Sequence, residues 1–157
     1  MRKGGGGFTA VFLREITAEN KSEIIALRVA EDQRECIASN EESLREAEYN
    51  PGVARAFGIY SGDRAVGFAM FAFDKENDDP HDRFWLWRFM IDKSLQGQGL
   101  GRAALTEIIK YFRENGADEI TLSTKESNRN ALALYHSFGF KENGDMNDGE
   151  AVLKLKL

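Results

Sequence analysis

The 157-residue sequence has little of three residue types that build cross-links, metal sites and rigid turns: one cysteine, two histidines and two prolines. The lone Cys36 excludes an internal disulfide, and only His81 and His136 accompany it, so the chain has too few soft ligands for a zinc cluster. We therefore expect no metal site. A reactive role for Cys36 stays open, although a buried or idle thiol is the commoner case.

The sequence also lacks a long hydrophobic run and an excess of positive charge. No stretch reaches the roughly 20 apolar residues of a membrane helix, and residues 1–16 lack the apolar centre of a signal peptide. The formal net charge is −5, without a basic stripe. We therefore expect a cytoplasmic protein with no nucleic-acid or membrane partner, and a cationic small molecule is a reasonable ligand.

What is present has the composition of one soluble globular domain, with 42% hydrophobic and 30% charged residues. The glycine run at 4–7 marks residues 1–8 as a flexible leader or an engineered remnant. We assign residues 9–157 to a single domain without internal repeats.

Hydrophobic periodicity predicts an α/β fold with the order β-α-α-β-β-β-α-β-α-β-β. Candidate N-caps for the first two helices are Asn20, in a capping-box-like spacing with Glu23, and Asn40. Apolar residues on both faces predict that the third and fourth strands lie centrally in the sheet. The predicted strands are 11–16, 54–60, 65–73, 84–91, 119–124, 140–146 and 151–157, and the helices begin near 21, 41, 99 and 128.

The most informative stretch is the glycine-rich turn Gln96-Gly-Gln-Gly-Leu-Gly-Arg102, between a strand and a helix. Gly97, Gly99 and Gly101 remove side chains where a ligand would approach the backbone, and the first N–H groups of the helix point outward. Such a turn binds a pyrophosphate or similar anion, although glycine used for backbone freedom alone gives the same spacing. Neither the dinucleotide pattern GxGxxG nor the P-loop pattern GxxxxGK(S/T) fits this turn.

A second motif lies downstream at 128–140, with the pattern N-x-x-A-x-x-L-Y-x-x-x-G-F. Together with the Q-x-x-G-x-G pattern of the turn, it resembles the GNAT superfamily of acetyl-CoA-dependent N-acetyltransferases. The resemblance covers about residue 9 to the C-terminus and includes the element order. The run 29–44, with Arg88 to Asp92, further resembles the bacterial spermine/spermidine or diamine acetyltransferases.

The resemblance implies an acetyl-CoA site on the sheet and its helices. The strand ending at Phe89, Met90 and Ile91 would splay from its neighbour and pair with the pantetheine arm. A backbone N–H near Met90 would stabilise the acetyl oxygen. Asn128 would contact the coenzyme arm. The residues implied for the pyrophosphate are Gln96, Gly97, Gln98, Gly99, Leu100, Gly101 and Arg102.

The resemblance also implies a catalytic tyrosine. Tyr135 matches the residue that protonates the departing thiolate in many family members, a general-acid role. The alternative is a core aromatic at helical spacing. Some polyamine acetyltransferases carry a glutamate four positions before the equivalent of Ile91, but here that residue is Trp87, so no base is carried over. With no activated nucleophile evident, we expect direct attack in a ternary complex.

Carboxylates around the first two helices are candidate ligands for the distal ammonium groups of a cationic acceptor. Among them, Glu31, Asp32 and Glu35 could also replace the missing base, and Trp87 could offer its ring to a cation. The acidic residues of this cluster are Glu31, Asp32, Glu35, Glu41, Glu42, Glu46 and Glu48. A solvated helix face and core packing are the alternatives, and the acidic stretch 74–82 is expected to be a solvated connection.

We therefore expect acetyl transfer to a primary amine, preferably a polyamine or diamine. Another small amine, an aminoglycoside, a protein amine and a non-catalytic acyl-CoA-binding module remain alternatives. A homodimer is an open expectation from the resemblance.

Overall fold

The computed structural model describes residues 10–29 and 38–157, whose strands form one seven-stranded sheet in the order β1-β2-β3-β4-β5-β7-β6. Neighbouring strands are antiparallel except for β4 and β5. The predicted α/β class, mostly antiparallel sheet and element order are confirmed. The elements are β1 (Phe12–Glu15), α1 (Lys21–Ile25), α2 (Asn40–Glu48), β2 (Ala54–Ser61), β3 (Arg64–Phe73), β4 (Phe84–Ile91), α3 (Leu100–Glu114), β5 (Glu119–Thr124), α4 (Arg129–Ser137), β6 (Lys141–Asn147) and β7 (Glu150–Lys156), with 3₁₀ turns at Pro80–Asp82 and Lys93–Leu95.

Hydrophobic clusters cover both faces of the sheet. One contains the buried residues of α3 and Tyr135 of α4, and the other contains Ile24 of α1 and Leu44 of α2. Strand β3 contributes to both, with Phe71 in the first and Phe68 in the second. This confirms its predicted central position. In the described segments no helix is long and apolar enough to span a membrane.

The cap of α2 differs from the prediction by one residue. Ser39, not Asn40, is the N-cap, and it forms a capping box with Glu42: each side chain accepts a hydrogen bond from the other residue's backbone N–H. Asn40 is buried and donates through Nδ2 to the carbonyl of Ile24 at 2.8 Å. The amide thus ties α2 to α1 instead of capping a helix.

The capping box predicted at Asn20 does not form. Asn20 is the N-cap residue of α1, but its side chain accepts from the N–H of Thr17 at 2.8 Å and donates to the carbonyl of Glu15 at 3.1 Å. The carboxylate of Glu23 accepts a hydrogen bond from the hydroxyl of Tyr60 on β2. Both side chains therefore fasten α1 to the sheet.

Candidate active site

Strands β4 and β5 separate soon after they meet. Their parallel pairing consists of Trp85 opposite Thr121, whereas β4 continues along β3 as far as Ile91. The splay implied by the family resemblance is therefore confirmed. A cleft of about 1200 Å³ lies at the opening, with walls from α2, β4, β5 and α4.

The open edge of β4 presents peptide groups to this cleft. The N–H of Asp92 donates to the carbonyl of Val66 on the β3 side at 2.8 Å. Because peptide directions alternate along a strand, those of Met90 also point to β3, and those of Phe89 and Ile91 point to the opening. The side chain of Gln96 confirms this direction, since its Nε2 donates to the carbonyl of Ile91 at 3.0 Å.

A β-bulge lies at the middle of β4. Leu86 pairs with Phe71 and Arg88 pairs with Met70, so Trp87 is an extra residue on the β4 side. A bulge bends its strand and reverses the alternation of the side chains that follow. Leu86 accordingly belongs to the cluster on the α3 face, and Met90 to the cluster on the α1 and α2 face. The side chain of Trp87 packs against the latter cluster and lines the cleft.

The glycine-rich turn leads from β4 into α3 at one end of the cleft. Gly97 and Gly99 have φ angles of 80° and 84°, a conformation that favours glycine, and no protein atom lies within 4 Å of where a Cβ would stand. Gly101 differs, because a Cβ there would make an ordinary 3.6 Å contact with Leu134. The turn therefore has space above its backbone, and the α3 N–H groups follow directly.

The predicted turn residues divide into two groups. Four of them line the cleft, whereas Gln98, Gly99 and Arg102 lie outside its lining. Arg102 donates from Nη1 to Ser137 Oγ at 2.8 Å, and its guanidinium carbon lies 4.9 Å from the centre of the Phe138 ring. Its side chain thus joins α3 to the end of α4. The residues of this turn that line the cleft are Gln96, Gly97, Leu100 and Gly101.

Helix α4 brings Tyr135 and its N-cap Asn128 to the same cleft. Both are 8% exposed. The Tyr135 ring packs edge-on against Phe140 with centroids 5.5 Å apart, so it is part of the core as well as of the cleft wall. Burial raises the pKa of the Tyr135 hydroxyl, which keeps its proton at neutral pH.

Negative charge dominates the cleft lining. Among the described residues, Arg88 is the one cation there, and its Nη2 lies 2.7 Å from Oε1 of Glu46. Of the predicted acceptor ligands, Glu42 and Glu46 line the cleft, whereas Glu31, Asp32 and Glu35 lie outside the described residues. The carboxylates that line the cleft are Glu42, Glu46, Asp74, Asp82, Asp148 and Glu150.

Two groups of these carboxylates were not predicted as part of a site. The stretch 74–82 is largely exposed, as expected of a solvated connection, but Asp74, Asn77 and Asp82 line the cleft. The indole Nε1 of Trp85 donates to Asp82 at 2.7 Å and holds that end of the loop. The turn between β6 and β7 adds further acids. These carboxylates could have been predicted as part of a site because they lie beside strand ends, where loops meet at one edge of a sheet.

Asp92 is a further residue that the sequence analysis missed. It follows β4 directly and accepts hydrogen bonds from the backbone N–H of Arg28 at 2.8 Å and of Ser94 at 3.3 Å. Burial opposes its charge, but hydrogen bonds from Ser94 and Arg28 outweigh burial and lower its pKa. An ionised Asp92 therefore fixes the end of β4 to the chain that follows α1.

Known proteins show the same architecture. The sequence model of the acetyltransferase (GNAT) family matches residues 11–140. A probable spermine N(1)-acetyltransferase from Bacillus subtilis subsp. natto is 34% identical over 94% of this chain and 99% of its own length. The spermine/spermidine N(1)-acetyltransferase of Bacillus subtilis strain 168 is 33% identical over the same shares.

Solved structures support the fold independently. A PaiA N-acetyltransferase from Thermoplasma acidophilum, in complex with coenzyme A, has a TM-score of 0.69 over 95% of this chain and 100% of its own, at 17% identity. The family match spans most of the chain, and the two Bacillus relatives match almost end to end. The chain with the splayed strand, glycine-rich turn and acidic cleft therefore belongs to the GNAT family and is an acetyl-CoA-dependent N-acetyltransferase.

Proposed function

We propose that the protein moves the acetyl group of acetyl-CoA to a primary amine of a polyamine or diamine. The observation that carries this proposal is the cleft lining, in which six carboxylates face one arginine among the described residues. Opposite charge concentrates a polycation at such a surface and gives it charge-assisted hydrogen bonds. The names of the two Bacillus relatives, which refer to spermine and spermidine, agree with this acceptor.

The coenzyme would lie along the open edge of β4. Its pantetheine arm can pair with the outward peptide groups of Phe89 and Ile91, and Met90 lies between them. Its pyrophosphate fits the N–H groups of the turn from Gln96 to Arg102, where the positive end of α3 favours an anion. Asn128 can contact the arm from the α4 side of the cleft.

Acetyl transfer then requires three proton transfers, two from the acceptor nitrogen and one to the leaving sulfur. The acceptor ammonium first gives up a proton, because only the free amine has a lone pair to attack the thioester carbon. The C–N bond forms, and a cleft-facing N–H of Phe89 or Ile91 can stabilise the negative oxygen. The C–S bond breaks, Tyr135 donates its proton to the leaving sulfur, and the second proton lost by nitrogen restores the tyrosine.

A carboxylate near the acceptor is the group proposed to take the first proton. Trp87 has no basic atom and can offer only its ring to a cation. Glu31, Asp32 and Glu35 keep their proposed roles as acceptor ligands or as the base. The described residues of the cleft lining include no cysteine, and the scheme uses direct attack without an acetyl-enzyme.

The first experiment measures coenzyme A thiol release with acetyl-CoA and spermine, spermidine, putrescine, an aminoglycoside or a lysine peptide. We expect the polyamines to give the highest kcat/KM. Release with the peptide but not with polyamines would overturn the acceptor. Tight acetyl-CoA binding with no release for any amine would favour a coenzyme-binding module.

The Tyr135→Phe variant tests the acid in the same assay. We expect kcat to fall roughly a hundredfold, because a positioned general acid contributes on that order, while the melting temperature changes little. Tyr49→Phe is the matched control, since Tyr49 is 79% exposed and lies outside the cleft lining. Unchanged turnover in Tyr135→Phe would remove this residue from the mechanism.

A further inference from the structure

We propose that Glu46, held in place by Arg88, binds the distal ammonium of the acceptor and so selects diamines and polyamines over monoamines. This inference rests on the proposed function, because it assigns the specificity of the same cleft. Arg88 is a positioning residue in this arrangement, and Glu46 is the group that touches the acceptor.

The position of the pair follows from the two faces of the sheet. The glycine-rich turn and Tyr135 belong to the α3 and α4 side, where the coenzyme would enter. Glu46 lies on α2, which packs against the opposite face. The opening beside β4 connects the two sides, since residues of α2, β4 and α4 line one cleft. If the thioester enters from the α3 and α4 side, the α2 side of the cleft remains free for the acceptor.

Arg88 is fixed by contacts at the bulge of β4. Its Nη1 donates to the carbonyl of Trp87 at 3.0 Å, and its Nη2 donates to Oε1 of Glu46 at 2.7 Å. The first bond holds the guanidinium against the bulge, and the second holds the carboxylate of Glu46 over the cleft. A carboxylate offers two oxygens with about four acceptor positions, so Glu46 can bind an ammonium without releasing Arg88.

The charges of Glu42, Glu46 and Arg88 would be balanced by one added cation. Glu42 and Glu46 lie one helical turn apart on α2, and both line the cleft with Arg88. Hydrogen bonds from the backbone and side chain of Ser39 lower the pKa of Glu42, which keeps it ionised. Two carboxylates and one guanidinium give this group a net charge of −1, which an incoming ammonium would neutralise.

A purely stabilising ion pair does not explain the arrangement. Glu46 is 42% exposed, and ion pairs at such exposure add little to stability. The Nε of Arg88 is buried and has no hydrogen-bond partner among the described residues. A buried donor without a partner is unfavourable. The position of Arg88 is therefore unfavourable for the free energy of folding, which is expected where a side chain is held for binding.

The test compares two four-carbon acceptors, putrescine and n-butylamine, which differ in the terminal ammonium. We expect Glu46→Gln to lower kcat/KM for putrescine roughly tenfold, the usual size of a lost charge-assisted contact, and to leave n-butylamine within about threefold of wild type. Glu48→Gln is the matched control, because it removes the same charge from α2 at a residue outside the cleft lining. It should leave the ratio of the two acceptors unchanged.

Variants of Arg88 show whether selectivity depends on the position in which Glu46 is held or only on the net charge of Glu42, Glu46 and Arg88. If Arg88 must hold Glu46, then Arg88→Met lowers the ratio of kcat/KM for putrescine to kcat/KM for n-butylamine. Arg88→Lys then keeps part of this ratio, and the double variant Glu46→Gln/Arg88→Met does not recover it. If net charge alone matters, Arg88→Met raises the ratio, and the double variant, again at −1, matches wild type. That second pattern would overturn the inference.

The inference and the proposed function fail in different ways. An active wild-type enzyme whose acceptor ratio is unchanged by Glu46→Gln overturns the inference and leaves the proposed function intact. A wild-type enzyme that acetylates peptides but neither putrescine nor spermidine contradicts both. Urea unfolding of each variant shows whether a lost ratio reflects lost folding, and Arg88→Lys keeps the test open if Arg88→Met unfolds.

Discussion

The two edges of β4 differ along the same eight residues. On one edge the strand pairs with β3 from Phe84 to Ile91, interrupted by the bulge at Trp87. On the other edge it pairs with β5 at Trp85 and then separates. The closed edge joins buried residues of both hydrophobic clusters, whereas the open edge faces the cleft. One strand thus pairs within the sheet through one set of peptide groups and leaves the other set facing the cleft.

The difference shows why glycine serves opposite purposes at the two edges. A Cβ at Gly67, on the closed edge, would lie 2.4 Å from the carbonyl oxygen of Met90. A Cβ at Gly97 or Gly99, at the end of the open edge, would meet no protein atom within 4 Å. The first glycine allows two strands to approach, and the others allow a turn that stays open above.

Gly67→Ala is expected to have the largest effect on stability, because it wedges the closed edge apart. The clash is with backbone, which no side-chain rotation relieves, and overpacking of this kind costs about 3 kcal/mol. Urea unfolding should show this loss in the free energy of unfolding. Gly101→Ala is the control, since its Cβ would make a 3.6 Å contact. Equal stability of the two variants would contradict the close approach at Gly67.

Gly99→Ala tests the open edge and should have an intermediate effect. The φ of 84° strains any residue with a Cβ by about 1–2 kcal/mol, and a Cβ above the turn also competes with the pyrophosphate. We expect the KM for acetyl-CoA to rise several-fold and the KM for the amine to change little. Gly62→Ala, at φ 60° in the β2–β3 turn, carries similar strain away from the cleft. A similar rise of KM in that control would show that strain alone is responsible.

Tyr60→Phe should have the smallest effect. It tests whether a change in the closed part of the sheet alters stability without altering turnover in the cleft. The loss of the hydrogen bond to Glu23 costs about 1 kcal/mol at neutral pH, and turnover should stay near wild type. This contrasts with Tyr135, whose loss is expected to slow turnover with little effect on stability. Reduced turnover in Tyr60→Phe would show that the two regions are coupled.

The same variant carries a pH dependence of known sign. Burial, with the hydrogen bond and charge of Glu23, raises the pKa of Tyr60 from 10.0 to about 12. Because the folded pKa lies above the unfolded value, the contribution of Tyr60 is complete below pH 10 and is lost as the pH rises through about 12. Unfolding free energies measured from pH 9 to 12 should fall less steeply in Tyr60→Phe. Identical slopes would contradict the raised pKa.

Local patterns predicted most of the fold. The bounds of β4 and β5 follow from apolar runs that end in polar or glycine-rich stretches, and the structure reproduces both. The N-cap of α2 was misplaced because Ser39 and Asn40 are both good cap residues. The spacing Ser39-x-x-Glu42 was the better signal, since a capping box satisfies two N–H groups at once.

The site was less predictable because it depends on distant parts of the chain. The bulge at Trp87 is defined by the register with β3, and nothing in the residues of β4 alone specifies it. Arg88 and Glu46 lie 42 residues apart, so no local pattern links them. The glycine-rich turn and Tyr135, by contrast, belong to short motifs, which is why the sequence indicated the residues proposed for the coenzyme better than those proposed for the acceptor.

The single pairing between β4 and β5 is also the shortest backbone pairing in the sheet, although residues from both sides of it share one hydrophobic cluster. Strands β2 and β3 pair across a tight turn, whereas β5 reaches the sheet only after α3 has crossed over. The cleft is complete only when β4, β5 and α4 are all in place, because all three line it. A ligand that bound only this complete cleft would stabilise the folded sheet through mass action. Such a ligand would therefore add stability at the place where the backbone pairing of the sheet is shortest.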